Sequence, residues 1–138
     1  MSAVAYEPTL LIHWDREDDF VSFVLGLCEV MIAHNLRQIR RGVGDPYASD
    51  FQYVFEDSGN DAWKDAYHAK ASGTGDCKDI VCWRVASLRA QGILARPVAL
   101  SQGERGGQPF IHVVVQHPNG KIEDPSILFG MSLRSARP

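Results

Sequence analysis

Asp76, Cys77 and Asp79 form the first group of residues whose types and spacing can do chemistry. An aspartate followed three residues later by a second acidic residue is the pattern of a helix N-cap with its capping box, so Asp76 should open a helix and Cys77 should be its first residue. A thiol there sits at the positive end of the helix dipole among unpaired backbone N–H groups, and both favour the thiolate. Asp76 and Asp79 flank it and oppose ionisation. The helix should end at Gly92, and Ile80, Val81, Cys82, Trp83, Val85 and Leu88 spread around most of its circumference, as expected of a central helix.

A thiol nucleophile needs a base to take its proton and a third group to orient that base. His112 and Asp124 can supply both. Residues 110–116 and 121–124 read as strands joined by Pro118-Asn119-Gly120, which fits a three-residue hairpin loop with glycine in the left-handed region. Pairing His117 with Lys121 then puts Gln116 opposite Ile122 and Val114 opposite Asp124. The two-residue period brings His112 and Asp124 to one face as diagonal neighbours, about 7–8 Å apart at the backbone. The helix cap and the hairpin register are independent inferences that converge on one triad.

The elements that must position these residues can also be read. Residues 16–41 carry apolar positions at helical spacing, acidic residues at the start, basic ones at the end and Gly42 beyond, which predicts a long helix. Residues 8–14 suit either a strand or an extended arm. Residues 42–60 read as a long surface connection with only residues 51–55 strand-like, and residues 61–70 as a short helix carrying Trp63 and Tyr67. A loop over 71–75 precedes the Cys77 helix. A strand over 93–100 and a Gly-rich loop over 102–108 complete a three-stranded antiparallel meander. The tail over 131–138 is short and basic.

Together these residues resemble a known family. Gly73-Thr74-Gly75-Asp76-Cys77-Lys78-Asp79, then Leu88 to Ile93 with Arg96, then His112, then Asp124-Pro125 are similar to the transglutaminase-like branch of the papain-like thiol enzymes, over about residues 60–130. The resemblance implies an α+β core with the thiol opening a central helix packed on an antiparallel sheet, and Cys77, His112 and Asp124 as catalytic triad. The long helix over 16–41 would be an addition packed outside. Ile122-Glu123-Asp124-Pro125-Ser126, with Phe129-Gly130-Met131 after it, is most similar to small members carried by bacteriophages and prophages. Val114 stands where many relatives have tryptophan two residues after the histidine, and the acceptor-side domains of true transglutaminases are absent. Hydrolysis of an amide or isopeptide bond, in a peptide, protein or cell-wall peptide, is therefore expected over transfer. The alternative is a catalytically inactive structural or accessory protein of a phage virion, bound to virion or tail proteins. A peptide-gripping module without turnover is a third reading.

Composition narrows the field. With 138 residues, 45% apolar and 22% charged, the chain fits a single globular domain, residues 1–138, with a full core. A net charge of −3 offers no bulk basic surface for a nucleic acid. The most apolar stretch, residues 20–33, is interrupted by Glu29 and too short to span a bilayer, and residues 1–7 lack the pattern of a secretory signal. No membrane partner and synthesis in the cytosol are expected, with incorporation into a virion under the phage reading. Three cysteines cannot all pair; Cys28 and Cys82, mid-helix among apolar residues, read as packing residues. Cys77, His112 and Asp124 offer S, N and O donors for zinc, but no Cys-x-x-Cys or His-x-x-x-His spacing accompanies them. No metal and no cofactor are expected. His13, His34, His68 and His117 share no motif, Arg84, Arg89 and Arg96 read as helix-surface or ion-pair residues rather than an anion site, and Trp63 and Trp83 as core aromatics.

Overall fold

The computed structural model describes residues 13–55, 62–105 and 108–131. It is a mixed helix and sheet fold built around one helix, α3 (Cys77–Ala90), which is buried on nearly every side. Before it come α1 (Glu17–Arg40), a 3-10 turn (Pro46–Ala48), β1 (Gln52–Tyr53), α2 (Ala66–Ser72) and β2 (Thr74–Gly75). After it come β3 (Arg96–Arg105), β4 (Gln108–Gln116), β5 (Ile122–Glu123) and α4 (Pro125–Leu128).

The long N-terminal helix forms as its pattern predicts. Its first turn holds Glu17, Asp18 and Asp19 and its last turn Arg37 and Arg40, which complement the dipole in place of a side-chain cap. Cys28, Ile32 and Asn35 are buried, and with Val24, Met31, Leu36 and Ile39 they make a stripe packed on Val81, Cys82, Val85 and Leu88 of α3. A fully buried isoleucine such as Ile32 contributes about 1.5–3 kcal/mol relative to leaving it in water. Glu29 reaches Arg89 through two bonds of 3.0 and 2.8 Å. By length and composition α1 is apolar enough to cross a membrane, with mean hydropathy 1.4 over its best window, of which 17% is buried here.

The strands order as β3-β4-β5, an antiparallel meander. The hairpin between β4 and β5 has the predicted register, Gln116 opposite Ile122, with His117 N–H donating to Lys121 O at 2.9 Å and Gly120 at φ +87°. Elsewhere the boundaries move. The strand expected over 93–100 runs Arg96–Arg105, and most of the expected loop over 102–108 is strand with a register shift between Ser101 and Glu104, because backbone pairing to β4 outweighs the low strand propensity of those residues. The helix expected over 61–70 begins only at Ala66, where Asp65 caps it by accepting from His68 N–H at 2.8 Å. In the expected loop over 71–75, Thr74 and Gly75 pair in parallel with Gln52 and Tyr53. Most of the arm over 8–14 and of the tail over 131–138 lies outside the described residues.

Candidate active site

The capping box opens α3 as expected. Asp76 accepts from the Asp79 N–H, Asp79 accepts from the Asp76 N–H at 3.2 Å, and Cys77 is the first helical residue. Asp79 is 1% exposed and also accepts from Lys64 N–H at 2.9 Å, tying the segment before α2 to the helix start. Burial, with Asp76 alongside, holds its carboxyl above the ordinary range. Gly75 is tightly enclosed here: a Cβ on it would lie 2.8 Å from Phe51 Cζ and 2.9 Å from Asp79 Oδ2, so a neighbour would have to move. Lys78 is buried, ion-paired with Asp76, and its ammonium lies 5.5 Å from the centre of the Trp63 ring.

On the sheet side His112 Nε2 and Asp124 Oδ2 are 2.8 Å apart, with His112 6% exposed. The diagonal pairing inferred from the hairpin becomes a direct hydrogen bond. A neutral imidazole donating from Nε2 to the carboxylate carries its lone pair on Nδ1, the nitrogen that acts as base. Asp124 also caps α4, its Oδ1 accepting from Ser126 N–H at 3.2 Å, so both carboxylate oxygens are held.

The thiol meets this pair at the β4 backbone. Val113 N–H, one residue from His112, is directed at Cys77 sulfur and favours its ionised form, as does Lys78; burial and then Asp76 act the other way and prevail, pushing the thiol up to about 12. Desolvation outweighs the helix dipole at this position, and the resting thiol is protonated. No hydrogen bond joins it to the His112 ring. The structure thus brings His112 and Asp124 into contact and joins Cys77 to the neighbouring Val113 N–H, without a thiol–imidazole bond.

Two neighbours were not visible in the sequence. Tyr53 is half-buried, and burial first, then the carboxylates of Asp76 and Asp124, raise its ionisation above the ordinary phenol range. Residues 51–55 read as strand-like, but the pairing with Thr74–Gly75 that carries Tyr53 to the site joins segments about twenty residues apart. The second neighbour is a clamp. Arg84 on α3 binds Glu123 of β5 at 2.7 Å and Asp45 at 2.6 Å, and Glu123 also accepts from Tyr47 at 2.6 Å and bonds His117 at 2.9 Å. It fixes the strand end that carries Asp124 against the helix that carries Cys77.

The other singled-out residues are structural. Cys28 and Cys82 are fully buried and face each other between α1 and α3. His34 and His68 both bond Asp65, at 3.0 and 2.6 Å. Among the described residues no group of three or more His, Cys, Asp or Glu side chains is placed to hold a metal ion. Comparison with family models, curated proteins and solved structures gives no significant match.

Proposed function

We propose that this chain performs thiol-dependent acyl chemistry on an amide or isopeptide bond, with Cys77 as nucleophile, His112 as base and Asp124 as its orienting group, in a papain-like arrangement. The observation that carries the reading is the partly buried 2.8 Å His112–Asp124 bond on the strand whose next N–H faces the Cys77 sulfur. A histidine paired through Nε2 has Nδ1 left to accept the thiol proton as sulfur attacks the carbonyl, and such contacts tighten only when substrate is bound. Collapse breaks the C–N bond, the departing amine takes the proton from His112, and the thioester formed is then resolved by water that His112 activates. Peptides, including cell-wall peptides, are the substrates this chemistry suits.

The test is alkylation of Cys77 by iodoacetamide as a function of pH, read by mass spectrometry in the unaltered protein, His112→Ala and Asp124→Ala. Because the resting thiol is protonated, labelling at neutral pH needs His112 to draw off its proton, so labelling that collapses in His112→Ala and weakens in Asp124→Ala is expected. Labelling indifferent to both substitutions sinks the triad. It would favour a second reading, supported by the protonated, partly buried thiol: an inactive structural or accessory protein of a phage particle that keeps the scaffold. Stable copurification with virion proteins and an inert Cys77 are its signature.

A further inference from the structure

Helix α1 carries more apolar surface than its packing on α3 uses. Val24, Cys28, Ile32 and Ile39 face the core. A second row, Phe20, Phe23, Leu27 and Val30, recurs at alternating steps of three and four residues, the spacing of a coiled-coil seam. Phe20, Phe23 and Leu27 are half-buried, Val30 is 70% exposed, and none of the four packs on either buried cluster among the described residues. Gly26 lies beside this row in the middle of the helix, where glycine costs about 1 kcal/mol relative to alanine. Among the described residues nothing in the fold calls for it: its φ is not in the left-handed region, and a Cβ there would meet no atom within 4 Å. A helix-interior glycine facing open space is accounted for by another backbone drawing close to it.

We infer that α1 pairs antiparallel along this row with α1 of a second copy of the chain, an interaction independent of the acyl-chemistry reading. Charge selects the partner and its direction. Asp19, Gly26, Ala33 and Arg40 recur every seven residues along one flank of the row, and all four are exposed. In an antiparallel pair these flank positions of one helix run against the same positions of the other. With Leu27 of each copy seated against Val30 of the other, Asp19 faces Arg40 and Gly26 faces Ala33, so opposite charges close both ends and small residues let the helices approach between them. Arg37 prolongs the row and falls opposite Phe20, a guanidinium against a ring. A parallel pair would instead set Asp19 against Asp19 and Arg40 against Arg40. A lipid surface suits the row less well, because Glu17, Asp18 and Asp19 in the first turn would be brought up to anionic headgroups.

Sedimentation equilibrium of the full chain, from low to high micromolar concentration, should show a reversible monomer–dimer equilibrium. Val30→Glu puts a charge into the seam twice per dimer and should raise the dissociation constant by about 10-fold or more. Because Val30 is exposed in the single chain, the thermal midpoint at the lowest concentration should not change, which reports that the variant is folded. Asp19→Arg and Arg40→Asp should each weaken the dimer, and the two together in one chain should restore it, since every reversed charge again faces its opposite. A parallel pair would not respond in this way. A chain that stays monomeric throughout, a dimer indifferent to Val30→Glu, or a charge exchange that fails to restore association overturns the inference. So does cosedimentation with phosphatidylcholine vesicles by a chain that does not self-associate, which would assign the row to a lipid surface.

Discussion

The charge on Cys77 is decided by its nearest neighbours. Burial and Asp76 hold the proton on sulfur, while Lys78 and Val113 N–H pull it off. Removing the Asp76 charge therefore lowers the thiol pKa. Asp76→Asn should move the pH profile of Cys77 alkylation towards lower pH, and Lys78→Met should move it the other way. Because each substitution breaks the buried Lys78–Asp76 ion pair, both should also cost about 1–3 kcal/mol in urea unfolding. A profile that fails to move in Asp76→Asn would show that burial alone sets the thiol. Cys77, His112 and Asp124 could be singled out from the sequence because each depends on short-range rules, a capping box and a hairpin loop whose glycine fixes the register. Tyr53 could not, since nothing local in Gln52-Tyr53 states that it will pair with Thr74-Gly75. The competition between dipole and desolvation was equally hidden, because burial of one side chain is a property of the whole packing.

Among the elements, the start of α3 is the most constrained junction. Phe51 and Asp79 close over Gly75 from two sides, so Gly75→Ala must push one of them away. Overpacking of this kind costs about 1–3 kcal/mol, and a lowered urea midpoint accompanied by faster labelling of the buried Cys82 is expected. An unchanged midpoint would mean that the Phe51 ring swings aside freely. The long helix, the central helix and the β4–β5 hairpin were legible because periodicity, caps and turn residues agree there. The β3–β4 ribbon was less so. Its Gly-rich stretch reads as a loop by propensity and is drawn into the ladder by its partner strand. α2 starts later than expected, at Ala66, where Asp65 supplies the cap.

Across the whole molecule, acid stability follows from two carboxylates. Burial raises Glu123, but Arg84, Tyr47 and His117 together hold it down to about 2, and Asp65, likewise raised by burial, is held to about 2 by His68, His34 and Gln38. Groups depressed in the folded state contribute stability that is present above their unfolded pKa of about 4 and lost as pH falls through the folded value. The thermal midpoint should therefore drop steeply between about pH 4.5 and pH 2, and Glu123→Gln should flatten that drop while lowering the midpoint at neutral pH. A profile as steep in Glu123→Gln as in the unaltered protein would remove Glu123 from the explanation.

Arg84 joins a loop, a helix and a strand through Asp45 and Glu123. Losing the arginine alone would leave two carboxylates facing one another at half-buried positions, whereas losing either acid alone leaves the arginine still paired. Divergence at these three positions should accordingly be ordered: in descendants of this chain, an acidic partner changes first and the arginine follows. Reconstructed lineages in which Arg84 disappears while Asp45 and Glu123 both persist would contradict that order.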